Sequence, residues 1–236
     1  MRKLAQIQAF NGDFSPNVEI TSSNWGTLTT ATAWRNKFIA DGQTNVVVSN
    51  FTLNGNNASF YLKTSGINWA IDFKSLNVTA INKMKVSGVI FLELGNNNIV
   101  DFNPTTQLPD LQWLMLNYNK MTSFSQGLPN QLQFLRISNN LLTSFTATLP
   151  SNMYQLVLQN NKFTSLAGFP NIHRSCILVH LAGNLITTAG WTASEAWATA
   201  QATTTNCTIR LEGNTNSASG TTFASILLAK GYTLIY

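Results

Sequence analysis

A hydrophobic motif returning at a nearly fixed step constrains this chain more than any other feature. It reads Val89-x-x-Leu92-x-Leu94-x-x-Asn97-x-Ile99, then Leu111, Leu114, Leu116, Asn119 and Met121. It returns at Leu132, Leu135, Ile137, Asn140 and Leu142, and again at Met153, Leu156, Leu158, Asn161 and Phe163. A fifth copy holds Cys176, Val179, Leu181, Asn184 and Ile186, and the steps between first positions are 22, 21, 21 and 23. An earlier copy at Ile71, Phe73, Val78 and Ile81 has Leu76 in place of the Asn, and a fainter one reads Val48, Phe51, Leu53 and Asn56.

Such a period belongs to stacked units, each too small to bury its own apolar row. The alternating part of each copy predicts a short strand whose inward residues, Leu114, Leu135, Leu156 and their row-mates, form the core. The recurring Asn falls where the chain leaves the strand, and its amide is suited to satisfy backbone groups that a tight turn leaves unpaired. Between the strands, Leu108-Pro109, Leu128-Pro129, Leu149-Pro150 and Phe169-Pro170 disfavour helix, because Pro lacks an N–H and blocks the preceding turn.

The pattern L-x-x-L-x-L-x-x-N-x-L resembles the leucine-rich repeat family over about Val46 to Thr187. That resemblance implies an α/β solenoid with a parallel sheet of about seven or more strands on its concave face and irregular convex arcs. Both ends then need covers. Residues 29–45 carry Trp34, Phe38 and Ile39 at helical spacing with Gly42 beyond them, which predicts a helical cap. Residues 46–190 are the repeats. Residues 191–236 read as a second cap of helix, strand, helix and strand. In it Thr192-x-x-Glu195 resembles a capping box, Cys207–Leu211 a strand, Thr221–Lys230 a helix and Tyr232–Tyr236 a last strand. Residues 1–28, with alternation at Leu4, Ile7 and Phe10, read as an arm or a strand pair.

Charged residues make up 10% of the chain, against roughly 25% in an average soluble domain. The net charge of +5 arises from 14 basic and 9 acidic residues, a scarcity of acids rather than a basic cluster. Phosphate backbones are bound by clustered Lys and Arg, so nucleic acid is an unexpected partner. No stretch approaches the ~20 apolar residues of a membrane helix, and the N-terminus lacks a signal-peptide apolar run. The expectation is a soluble chain without an N-terminal export signal.

Little in the sequence points to chemistry. Cys176 and Cys207 alternate with aliphatic residues and read as buried thiols. His173 and His180 have no acid or thiol partners at metal-ligand spacing, so neither a metal nor another cofactor is expected. Asp72 and Glu93 occupy equivalent positions of adjacent copies, either as an acid/base pair or as solvated neighbours balanced by Lys74 and Arg136. No nucleophile, base and acid constellation accompanies them, and the chain reads as non-enzymatic.

Outward strand positions are more informative. One row reads Ala70, Phe91, Trp113, Phe134, Gln155 and Leu178, and the next Asp72, Glu93, Met115, Arg136, Val157 and His180. Beyond them lie Asn96, Tyr118, Asn139 and Asn160. Phe91, Trp113 and Phe134, with Met115, Tyr118, Arg136 and Glu93 around them, form a candidate partner-binding face. A cap, the N-terminal arm or another subunit covering the row is the other reading.

The chain also resembles short leucine-rich repeat proteins of phages and prophages of Bacteroidetes bacteria. The residues concerned are the Leu-Pro-x-x-Leu/Met-x-x-Leu arcs and a C-terminal module. That module holds Trp191-Thr-x-Ser-Glu, then Gly-Asn-Thr-Asn, then Leu-Leu-Ala-Lys-Gly-Tyr-Thr-Leu. This resemblance implies a virion surface component, such as a spike, tail or decoration protein. Its partners would be other virion subunits, further copies of the chain, or a host surface glycan or protein. The alternative is a bacterial interaction protein, adhesin or effector-like, exported without a signal peptide and found outside the cell or on its surface.

Overall fold

A computed structural model describes residues 18–41, 47–63, 69–102, 108–204 and 206–236. The alternation at Leu4, Ile7 and Phe10 lies outside the described residues. Strand β1 (Val18–Ser22) is followed by helix α1 (Ala31–Ala40), whose first turn is capped by the Thr30 hydroxyl accepting from the Ala33 N–H at 3.1 Å. Trp34 and Phe38, one helical turn apart, are both fully buried. Trp34 meets the Phe73 ring edge-on at 5.5 Å, and Phe38 lies 6.0 Å from the same ring. The helix therefore covers the turn at Phe73, which follows strand Trp69–Asp72.

Strands β2 (Val47–Asn54) and β3 (Asn57–Lys63) form an antiparallel hairpin around Gly55, which sits at φ +58°. Strand β4 (Trp69–Asp72) precedes β5 (Val78–Met84), and an antiparallel sheet has the order β2-β3-β1-β5. This corrects the reading of Val48, Phe51, Leu53 and Asn56 as a first repeat. A two-residue Gly-Asn turn folds that segment back on itself as a hairpin, so it pairs antiparallel with its neighbour. Val18–Ser22, taken with residues 1–28 as an arm or strand pair, is an inner strand of this sheet.

From there the fold is mixed α/β with a mostly parallel sheet. Strands β6 (Val89–Glu93), β7 (Trp113–Met115), β9 (Phe134–Arg136) and β11 (Gln155–Val157) follow β4 in order. The short β8 (Ser123–Phe124) and β10 (Ser144–Phe145) pair with each other, and their Phe124 and Phe145 rings stack 5.5 Å apart. Beyond β12 (Leu178–His180) come α2 (Thr188–Ala193), α3 (Glu195–Ala200), β13 (Thr208–Arg210), α4 (Thr222–Ala229) and β14 (Thr233–Ile235). Among the described residues the large sheet has eight strands, each parallel to its neighbour, ending in β12, β13 and β14. One register row runs through Ile71, Leu92, Leu114, Leu135, Leu156, Val179, Ile209 and Leu234. All but Leu234 are buried.

The recurring Asn residues bind successive turns together. Asn119 donates to the Leu94 carbonyl of the preceding turn (2.9 Å) and its oxygen accepts from the Ile99 N–H (2.9 Å). Asn97, Asn140, Asn161, Asn184 and Asn214 repeat the arrangement. Just before this ladder the backbone turns left-handed at Ser75, Asn96, Tyr118, Asn139 and Asn160, with φ between 54° and 58°, and then at Gly183 and Gly213.

At the C-terminal end the helix begins earlier than the Thr192 motif predicts. Thr187 is the cap, its hydroxyl accepting from Gly190 N–H at 3.3 Å, and the Thr192 hydroxyl instead donates to the Thr188 carbonyl. Ser194, buried between α2 and α3, donates to the Gly190 carbonyl and accepts from the Leu166 N–H, so it joins the helices to the preceding turn. Gly190 is required there, because a Cβ would lie 1.9 Å from the Thr164 carbonyl oxygen. Trp191 and Trp197 pack on Phe223 of α4, at 5.0 and 6.1 Å. Among the described residues no helix is long and apolar enough to cross a membrane.

Candidate contact face

The parallel register places Phe91, Trp113 and Phe134 side by side, followed by Gln155 and Leu178. All three rings are half-buried, on the face opposite the Leu92–Leu114–Leu135 core row. Trp113 and Phe134 stack face to face, with centroids 3.5 Å apart and planes 12° apart. Phe91 lies 6.4 Å from Trp113 at a tilt of 38°. Tyr154, which the row positions leave out, meets Phe134 at 5.4 Å and 62° and is exposed. It lies just before β11, and its N–H also bonds the carbonyl of Gln133, next to Phe134, at 2.7 Å. The stack covers one face of Trp113 and one of Phe134, and the four rings form a ridge across four strands.

The other candidate residues divide. Met115 sits in register between Glu93 and Arg136, but it is only 6% exposed, which removes it from the contact surface. Arg136 is exposed. Tyr118 is 58% exposed and occupies the left-handed turn position, at φ 56°, where the turns on either side carry Asn96 and Asn139. A bulky residue is disfavoured there by roughly 1–2 kcal/mol, and Asn less so.

Asp72 and Glu93 are register partners, as their equivalent positions imply. Each carboxylate is engaged by its own turn: Asp72 accepts from the Lys74 N–H and Glu93 from the Gly95 N–H, both at 2.7 Å. Burial pushes the Glu93 carboxyl above its ordinary value. The Gly95 hydrogen bond opposes this, Asp72 adds to it, and Lys74 and Arg136 oppose it. Each carboxylate closes its own turn with one of its two oxygens.

His180 lies between Val157 and Arg210 in the next row, and burial and then Arg210 hold its pKa below the ordinary value against Glu212. His173 is bonded to the Leu149 carbonyl at 3.0 Å. Among the described residues no group of three or more His, Cys, Asp or Glu side chains is placed to hold a metal. A hollow of about 600 Å³ opens beside α1, lined by Asn24, Trp25, Leu28, Lys37, Leu76 and Asn77. Its Lys37 is paired with Asp41 at 2.6 Å and its Asn24 oxygen accepts from the Gly26 N–H, so these polar groups are already engaged.

The chain matches no known family model, and no curated protein aligns with it significantly.

Proposed function

We propose that this chain is a leucine-rich repeat solenoid, its parallel sheet concave, serving as a non-enzymatic surface component of a phage particle. It contacts a partner through the ridge of Phe91, Trp113, Phe134 and Tyr154. The stacked, half-exposed Trp113–Phe134 pair carries this reading. Large apolar rings kept at the surface in register across successive strands point to a surface that is covered in use. Tyr118 supports it too: an exposed aromatic ring is retained at a backbone position where Asn or Gly costs less. The resemblance to phage leucine-rich repeat proteins and the charge-poor composition rich in Asn, Thr and Ser support the choice of a phage particle.

Ring geometry also selects among partners. A sugar docks on an open ring face, and the stack of Trp113 on Phe134 uses up one face of each ring, leaving less open face than two separate rings would offer. Ring edges flanked by Glu93 and Arg136 suit a protein surface, with aliphatic groups along the ridge and polar groups at its rim. The partner is therefore another virion subunit or a host surface protein. A protein inventory of purified particles tests the assignment. Stoichiometric recovery of the chain with intact particles is expected, and its absence from washed particles overturns the reading.

A further inference from the structure

Between Asp110 and Glu195 the chain contains Lys120, Arg136, Lys162 and Arg174 and no acidic residue. That stretch supplies β7, β9, β11 and β12, the middle of the large sheet. All four cations are exposed. Among the described residues the ion pairs join Lys37 to Asp41, Lys83 to Glu19 and Arg210 to Glu212, so none of the four is paired. Arg136 differs from the others in its place. It shares β9 and its outward face with Phe134, which is stacked on Trp113. Its register partners on either side, Met115 and Val157, are buried at 6% and 8% exposure. The nearest acid in that row, Glu93, is two strands away, about 10 Å by strand spacing, and accepts from its own Gly95 N–H. Lys120 and Lys162 follow Asn119 and Asn161 in the turns after β7 and β11.

We propose that Arg136 receives a carboxylate of the partner, so that the ridge docks an acidic protein segment in which Asp or Glu alternates with aliphatic residues. This rests on the reading of the ridge as the contact surface. A guanidinium holds its N–H donors in a planar fork that matches the two oxygens of a carboxylate. Here the fork rises from an apolar floor of Met115 and Val157 beside the stacked rings. A partner lying on those rings takes water from the guanidinium as well. A neutral cover would leave that charge unpaired at a cost, whereas a carboxylate compensates it and gains strength from the exclusion of water. The absence of acids between Asp110 and Glu195 removes internal competitors for the fork. Lys120 and Lys162 add charge of the same sign in the turns and favour approach of an acidic surface. One guanidinium with dispersed lysines does not track a phosphate backbone, which needs clustered cations.

The test has two parts. On purified particles, Arg136→Glu should be retained at least about tenfold less well than wild type, and Arg136→Lys should fall between them, keeping the charge without the fork. Arg35→Glu, the same charge change at an exposed position of α1, should be retained as wild type. Release of Trp113→Ala with full retention of Arg136→Glu leaves the ridge standing and overturns the acidic partner. Full retention of both overturns the ridge, and this inference with it. The second part needs no particle. The isotope-labelled full chain is titrated with two end-blocked pentapeptides, one alternating glutamate with leucine and the other glutamine with leucine. The glutamate peptide should shift the Arg136 Nε–H and Trp113 Nε1–H resonances, and its glutamine counterpart should bind at least about tenfold more weakly. If Arg136→Glu does not fold, this titration of wild type decides. An equal response to the two peptides, or none at Arg136, refutes the proposal. A larger Arg136 shift with polygalacturonate than with the glutamate peptide refutes it too, in favour of an acidic glycan.

Discussion

The side-chain amide of Asn140 donates to the carbonyl of Leu116, 24 residues earlier, across 2.9 Å. The same side chain accepts from the Met121 N–H and reaches the Ile137 carbonyl, so one buried residue satisfies backbone groups in two successive turns. Asn140→Ala strands at least one buried donor and one acceptor, and should cost about 2–4 kcal/mol. Exposed Asn152→Ala should stay within about 0.5 kcal/mol. Urea midpoints that coincide for the two variants would show that the ladder contributes nothing to stability.

Leu135 is fully buried between Leu114 and Leu156 in the central register row. Leu135→Ala removes buried methyl groups and leaves a cavity whose walls belong to three separate strands, so collapse is limited. The loss should be about 2–5 kcal/mol, read as a lower Tm and urea midpoint.

These two residues were legible because the repeat phases them, and phase alone separates inward from outward positions on a strand. Where no second copy set the phase, the reading failed. Val48, Phe51 and Leu53 mimic a repeat, yet Gly55-Asn56 turns their strand back onto Asn57–Lys63, and hairpin pairing wins. Thr192-x-x-Glu195 looks like a cap, but Thr187 captures the Gly190 N–H first, because Gly190 must fit closely against Thr164. On the outer face, sequence position identified Phe91, Trp113 and Phe134. Their stacking, the burial of Met115 and the ring contact of Tyr154 depend on rotamers that no periodicity encodes.

Glu93 links the same face to pH. Its raised pKa means the folded state binds the proton more tightly than the unfolded chain. Its contribution is thus most favourable below the ordinary carboxylate range, and stability is lost as pH rises from that range through the raised value. Glu93→Gln keeps an oxygen for the Gly95 N–H and removes the half-buried charge. The variant should melt above wild type at neutral pH, with the difference vanishing near about pH 4. A constant difference across that range would dissociate Glu93 from the pH response.

Tyr118 should show stability and contact pulling in opposite directions. Tyr118→Asn places at φ 56° the residue type found in the flanking turns and should stabilise the chain by about 0.5–1 kcal/mol. It also deletes an exposed ring, so retention of the chain on particles should weaken. A variant that is more stable and equally well retained would remove Tyr118 from the contact face.

Trp113 gives the sharpest test of that face. It stands between Phe91 and Phe134, with its backbone paired to both neighbouring strands and its ring outside the core row. Trp113→Ala should therefore keep the sheet, with an unchanged far-UV spectrum, while Phe134 loses the ring stacked on it at 3.5 Å. Central aromatic residues dominate protein contacts, and truncation of such a residue costs about 2 kcal/mol or more of binding. That corresponds to at least roughly a 30-fold weaker association at 25 °C. The variant should dissociate from particles, or particles carrying it should adsorb poorly to host cells. Glu195→Ala, on α3 and away from the ridge, should behave as wild type. If Trp113→Ala assembles and adsorbs as wild type does, the ridge is not the working surface, and the exposed Leu228, Ile235 and Tyr236 at the C-terminal edge become the next surface to truncate.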